Sequence, residues 1–170
     1  MACGKTTLGR ALEGAGYADF IDLDEEIART TGKTPAEWFA TEGEAAFRAA
    51  ELAELKRICR ARPRAVIATG GGTPCNSEAM QLMLESGMVV WLEASIERTV
   101  ERLLEADGQR PLVAGKSRRE LAEFIPAHLA ARVPFYSRAH LKFDSSRLDS
   151  EDEIAETVGE FIRRVGEKEL

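Results

Sequence analysis

The feature that most constrains this chain is its opening run, Met1-Ala-Cys-Gly-Lys-Thr-Thr-Leu-Gly-Arg10, in which Gly4-Lys5-Thr6 has the form of the closing half of a phosphate-cradling loop. In a loop of the type G-x-x-x-x-G-K-[ST] that runs into a helix, successive backbone N–H groups point at phosphate oxygens, the Lys reaches the outer phosphates and the hydroxyl ligates magnesium. Gly4, Lys5 and Thr6 fit those roles, with Cys3 and Thr7 lining the same loop. Counted back from Gly4, the first glycine of the motif falls before Met1, and so does the strand that feeds such a loop. Taken alone, Gly-Lys-Thr is common and equally marks a helix N-terminus with a Lys in its first turn. Later stretches shift the balance.

A chain of 170 residues, 44% of them hydrophobic, fits one domain, 1–170, that buries a substantial core. Its net charge of −6 argues against general binding to nucleic acid or to an anionic membrane, which needs a basic face. Local arginines must then serve small anions. Cys3, Cys59 and Cys75 are odd in number and match no metal-ligand spacing, which points to a reducing compartment. With no signal peptide and no apolar run long enough to span a bilayer, a cytoplasmic protein, monomeric, is expected.

Along the chain, the pattern alternates between helix and strand. Leu8 and Leu12 predict a helix over 5–13, and residues 17–23 predict a strand that delivers Asp22 and Asp24 at its C-terminal end before a helix over 25–31. Thr34-Pro35-Ala36-Glu37 is a capping box, and a long helix is expected over 43–62. The apolar runs 65–69 and 88–92 do not alternate, so both predict strands buried on both faces. Between them lies a helix over 77–86. Further helices are expected over 95–106, from the Ser117 capping box to about 131, over 134–139 and after Ser150, with a weak edge strand over 141–144. Such alternation specifies an α/β layered domain with a parallel sheet. The polar, Gly-punctuated segment near 107–117 has the composition of a lid.

Several constellations could carry chemistry. Asp22 and Asp24 stand two apart, where one carboxylate could hold hydrated magnesium while the other takes a proton from an attacking hydroxyl; a helix cap with a solvated neighbour would look the same in sequence. Glu44, Phe47, Arg48 and Glu51 share one helix face, consistent with surface ion pairing or with a guanidinium held ready for an anionic substrate. Gly70-Gly71-Gly72 after a predicted strand marks backbone that a ligand approaches closely. Arg110, within the lid segment, could neutralise charge on a transferred phosphoryl group. Arg132 precedes Val-Pro-Phe-Tyr136.

Taken in order, Gly4-Lys5-Thr6-Thr7-Leu8-Gly9, Asp22-Leu-Asp24 with Arg29-Thr-Thr-Gly32, Glu42-Gly-Glu-Ala-Ala-Phe-Arg48 with Glu51, Gly70-Gly71-Gly72, Arg110-Pro-Leu112 and Arg132-Val-Pro-Phe-Tyr136 resemble the shikimate kinases, a family of the nucleoside-monophosphate-kinase-like P-loop group. The resemblance covers nearly the whole chain. It implies a three-layer α/β P-loop kinase fold with parallel sheet order 2-3-1-4-5, strand 1 being absent here, and a substrate-binding helical region near 25–62. It also implies phosphorylation of the shikimate 3-hydroxyl by ATP, with Mg²⁺, in aromatic amino-acid biosynthesis. Lys5, Asp24 and Arg110 would then be catalytic, with Thr6 and Asp22 at the metal. Cys3, Gly4, Lys5, Thr6, Thr7, Arg110 and Arg147 would bind ATP, and Asp24, Arg48, Gly70, Gly71, Gly72 and Arg132 would bind shikimate. Family members often carry an Arg before the lid that stacks on adenine, and the matching position here is Leu103, next to Arg102. The alternatives are a related small-metabolite kinase, for gluconate for instance, and a nucleotide-binding homologue without turnover.

Overall fold

The structure, a computed structural model, describes residues 2–62, 64–105, 113 and 115–169. Helix α1 (Lys5–Gly14) buries Leu8 and Leu12, four residues apart and so on one face. Strand β1 (Asp19–Asp22) is shorter than the 17–23 expected from sequence. It stops because the Asp22 carboxylate accepts the backbone N–H groups of Asp24 and Glu25 and so starts helix α2 (Leu23–Thr31) two residues early. Asp24 therefore stands in the first turn of a helix, not at a strand end.

Helix α3 (Pro35–Thr41) opens with the Thr34–Glu37 capping box, followed by α4 (Gly43–Ala61), strand β2 (Ala65–Ala68), a 3₁₀ turn (Thr73–Cys75) and α5 (Ser77–Ser86). Strand β3 (Val90–Glu93) leads to α6 (Ile96–Glu105). After it come α7 (Arg118–Ala130), capped by Ser117 with Glu120, then α8 (Val133–Tyr136), β4 (Leu141–Asp144) and α9 (Glu151–Glu169). The expected lid, 107–117, lies largely outside the described residues, and so does Arg110.

The strands form two parallel pairs. β1 lies on β2 with Asp22 opposite Ala68, and β3 lies on β4 with Glu93 opposite Asp144. These match strands 2-3 and 4-5 of the order expected from the resemblance. Burial on both faces was expected of β2 and β3, but among their residues only Ala68 is buried. The reason is pairing: among the described residues each strand has a single neighbour, so one edge of each carries unpaired backbone groups.

Three clusters make the core. Leu8 and Leu12 of α1 meet Leu141 and Phe143 of β4 and Val158, Phe161 and Val165 of α9, with Val66 of β2 and Val90 and Leu92 of β3 packed against them. Leu23, Ile27, Phe47, Leu55 and Ile58 join α2 to α4, and Val100, Leu103, Leu121 and Ile125 join α6 to α7. A Cβ on Gly9 would lie 2.1 Å from the Phe20 ring, so α1 rests on β1 with only a hydrogen between them. The N-terminus of α1 and the C-terminal ends of β1 and β2 thereby come together, where open parallel sheets place their ligands.

Candidate active site

The phosphate-loop side is held from behind. Gly4 has φ 81°, a conformation that favours glycine, and a Cβ there would lie 2.4 Å from Leu148 Cδ1. Its carbonyl accepts the Leu8 N–H at 2.9 Å, the first turn of α1, which leaves the amides of Lys5, Thr6 and Thr7 without partners inside the helix. The Cys3 carbonyl accepts the buried Ser145 hydroxyl at 2.7 Å, a proton shared with the Glu93 carbonyl at 3.2 Å. Arg102 braces this segment, donating to the carbonyls of Ser145 (3.1 Å) and Ser146 (2.9 Å) and pairing with Asp149 at 3.0 Å. Leu103, where the resemblance looks for an adenine-stacking Arg, is buried between α6 and α7. Arg147 is exposed and paired with Glu156 of α9 at 2.8 Å.

At the end of β1, Thr6 Oγ1 donates to Asp22 Oδ2 at 3.3 Å. Asp22 uses its other oxygen on the α2 amides. A hydroxyl and a carboxylate together offer oxygen donors of the kind that hold magnesium, which binds few protein ligands and keeps waters and phosphate oxygens for the rest.

Asp24 faces the glycine turn. Burial raises its pKa above the ordinary aspartate value, helped by the charges of Asp22 and Glu51 and opposed by Lys5 and Arg48. Four other residues singled out in the sequence are thus within electrostatic reach of Asp24. A Cβ on Gly70 would meet Glu51 Oε1 at 3.3 Å, Thr73 Oγ1 at 3.4 Å and Asp24 Oδ1 at 3.6 Å. One on Gly72 would lie 2.1 Å from Arg48 Nη2, so the guanidinium occupies the space a side chain there would need.

Arg48 is fixed on three sides. Glu51, only 1% exposed, takes its Nη1 at 2.9 Å and the Thr73 hydroxyl at 2.7 Å. Glu44 takes Nη2 at 3.3 Å, and the guanidinium carbon stands 5.3 Å from the Phe47 ring centre and 5.9 Å from that of Phe39. Burial opposes the Arg48 charge, but the two glutamates outweigh it and hold its pKa above the ordinary value.

Arg132 directly precedes α8 and donates to the His128 carbonyl at 3.0 Å. Burial and the Arg132 charge push the His128 pKa down. One turn on, the Tyr136 hydroxyl donates to the Gly71 carbonyl at 2.6 Å, which brings α8 to the glycine turn. Lys5, Thr6, Asp22, Asp24, Arg48, the three glycines and α8 therefore line one region, with Cys3 and Gly4 at its edge. Arg147 is paired instead with Glu156 of α9, and Arg110 lies outside the described residues. The roles of Ser145, Arg102 and the Tyr136 hydroxyl had no signal in the sequence. Each acts across more than 40 residues, where local spacing carries no information.

The family model described as shikimate kinase matches residues 1–163. The shikimate kinase of Parabacteroides distasonis is 37% identical over 154 residues, 91% of this chain and 88% of that one. That of Bacteroides fragilis is 38% identical over 158 residues, 93% of this chain and 88% of its own. Among solved structures, the shikimate kinase of Bacteroides thetaiotaomicron matches with TM-score 0.90 and 35% identity, covering 98% of this chain and 94% of that one. The shikimate kinase of Acinetobacter baumannii, solved in complex with shikimate, matches with TM-score 0.83 and 28% identity over 100% of this chain and 90% of its own. The chain belongs to the shikimate kinase family.

Proposed function

We propose that this member of the family transfers the γ-phosphate of ATP to the 3-hydroxyl of shikimate, giving ADP and shikimate 3-phosphate, a step of chorismate and aromatic amino-acid biosynthesis. The observation that carries it is the meeting of Asp24, Arg48 and the Gly70–Gly72 backbone beside Lys5, Thr6 and Asp22. Phosphoryl transfer asks little covalent chemistry of a protein, so the work of these residues is positioning and charge stabilisation.

In this reading the amides that open α1 take the triphosphate, together with Cys3, Gly4 and Thr7, and Lys5 reaches its outer oxygens. Thr6 and Asp22 hold Mg²⁺, which when bound neutralises charge on the phosphates. Arg48 and Arg132 hold the shikimate carboxylate while the backbone of Gly70, Gly71 and Gly72 meets its hydroxyls. Asp24 binds the reacting hydroxyl and accepts its proton, a task for which its raised pKa suits it. Arg110 acts on the transferred phosphoryl group from the lid 107–117, and Arg147 lies on the nucleotide side. The chain, 1–170, acts as one domain, as a monomer in the cytoplasm.

Shikimate and gluconate, titrated separately in an ADP-release assay with Mg²⁺ and ATP, test the assignment. Turnover with shikimate and none with gluconate is expected. Turnover with gluconate alone refutes it, and tight binding of ATP and shikimate without phosphorylated product leaves a binding protein in its place.

A further inference from the structure

The three glycine carbonyls of the turn are not held alike. Gly70 accepts the Thr73 N–H at 3.1 Å and Gly72 accepts the Cys75 N–H at 3.0 Å, both within the local 3₁₀ turn. The Gly71 carbonyl is held chiefly from 65 residues away, by the Tyr136 hydroxyl at 2.6 Å, with the Cys75 thiol 3.9 Å off. A Cβ on Gly71 would come within 3.0 Å of that hydroxyl, so the approach uses the space the missing side chain leaves.

A run of three glycines has little preference of its own among backbone conformations, and ordering it on binding would consume free energy that otherwise appears as affinity. A bond from outside supplies that order beforehand. Because the peptide unit is planar and trans, fixing the direction of the Gly71 carbonyl also fixes the opposed Gly72 N–H. Gly72 is the residue pressed against Arg48. The Tyr136 N–H in turn bonds the Arg132 carbonyl at 3.0 Å, one turn back, and its ring packs on Trp91 of β3 with centroids 5.7 Å apart. Burial pushes the hydroxyl up to about 12, so it remains a donor across the working pH range.

We propose that Tyr136 is a positioning residue for the acceptor substrate, its hydroxyl tying the glycine turn to the helix that directly follows Arg132 and so setting the spacing between backbone and guanidinium. The inference rests on the reading under Proposed function, in which those two groups hold the same molecule. The contacts of Tyr136 are with Gly71, Arg132 and Trp91. Its effect reaches the substrate through Gly71 and α8.

Tyr136→Phe removes the hydroxyl and keeps the ring on Trp91. In calorimetric titrations of the full chain, shikimate should bind roughly threefold to tenfold more weakly, the scale of one lost hydrogen bond, while ATP affinity stays as in the native chain and Tm falls by no more than about a few degrees. Amide exchange at Gly71 and Gly72 should quicken in the variant before any ligand is added. Native shikimate affinity in Tyr136→Phe overturns the inference, and so does an equal loss of shikimate and ATP affinity with a larger fall in Tm, which is the mark of a merely structural contact. A native chain that binds no shikimate overturns the underlying reading and this inference with it.

Discussion

The two paired-strand halves of the molecule hold their functional groups by different means. Beside β1 and β2, most groups that face the glycine turn are charged: Arg48 is bonded to Glu51 and Glu44, Glu51 also takes the Thr73 hydroxyl, and Asp24 feels the charges of Arg48 and Glu51. Beside β3 and β4, the phosphate loop is held by a neutral hydroxyl and by carbonyls, with Arg102 bracing the loop from outside. Bonds to backbone carbonyls, with Arg102 neutralised by Asp149, make a frame that stays put whether or not a charged ligand is present. Paired buried charges are poised differently, since each is stabilised only while its partners remain.

The comparison breaks first at Asp24. Asp24→Asn should lower turnover by a factor on the order of 10²–10⁴, the range of a lost general base, in a steady-state assay. Its stability should move the other way. A carboxyl whose pKa is raised by folding binds its proton more tightly in the folded state, so the native chain loses stability as pH rises through that folded value. The amide escapes this loss, and Tm at neutral pH should equal or exceed the native one. A fall of several degrees would show that Asp24 belongs to the frame.

Glu51→Gln should follow in size. The substitution keeps the shape but leaves the half-buried Arg48 short of a counter-charge, at a stability loss of about 2–3 kcal/mol measured by urea unfolding. Shikimate affinity should fall with it and ATP affinity should not. Ser145→Ala sharpens the contrast from the other half. It strips the Cys3 carbonyl of its buried donor, costs about 1–2 kcal/mol, and should weaken ATP binding while sparing shikimate. Equal effects of either variant on both ligands would erase the distinction between the halves.

The smallest effect belongs to the surface of the charged half. Glu26 bonds Arg29 at 2.7 Å and Arg57 at 2.6 Å, and the Arg29 hydrogen bond above all lowers its pKa from 4.5 to about 2. With a depressed carboxyl the contribution is present above 4.5 and disappears as pH falls through about 2. Glu26→Gln should therefore cost about 0.5–1 kcal/mol at neutral pH, with the cost fading as pH falls toward about 2, by thermal unfolding at each pH.

Much of this was legible in the sequence where the cause is local. The Thr34 and Ser117 capping boxes, the Leu8–Leu12 face and the Glu44–Arg48–Glu51 face all rest on spacings of three or four residues, and each is found in place. Asp22 and Asp24 were legible as a pair but not by station. Asp22 caps the helix, the part that sequence alone would as readily give to Asp24. The burial of β2 and β3 was misjudged because apolar composition does not say how many neighbours a strand acquires. Tyr136 with Gly71 and Ser145 with Cys3 lie 65 and 142 residues apart, joined only once the chain has folded.

The contact between Gly9 and Phe20 is one hydrogen thick, and Thr6 bonds the carboxylate that ends the same strand. With no slack there, α1 cannot slide along β1, and the reach from the loop amides to Asp24 is set like the jaws of a calliper. On the proposed reading, an acceptor is then gauged by the length between its carboxylate and its reactive oxygen. Molecules of the right chemistry but the wrong span would then bind with that oxygen short of the phosphorus or driven past it.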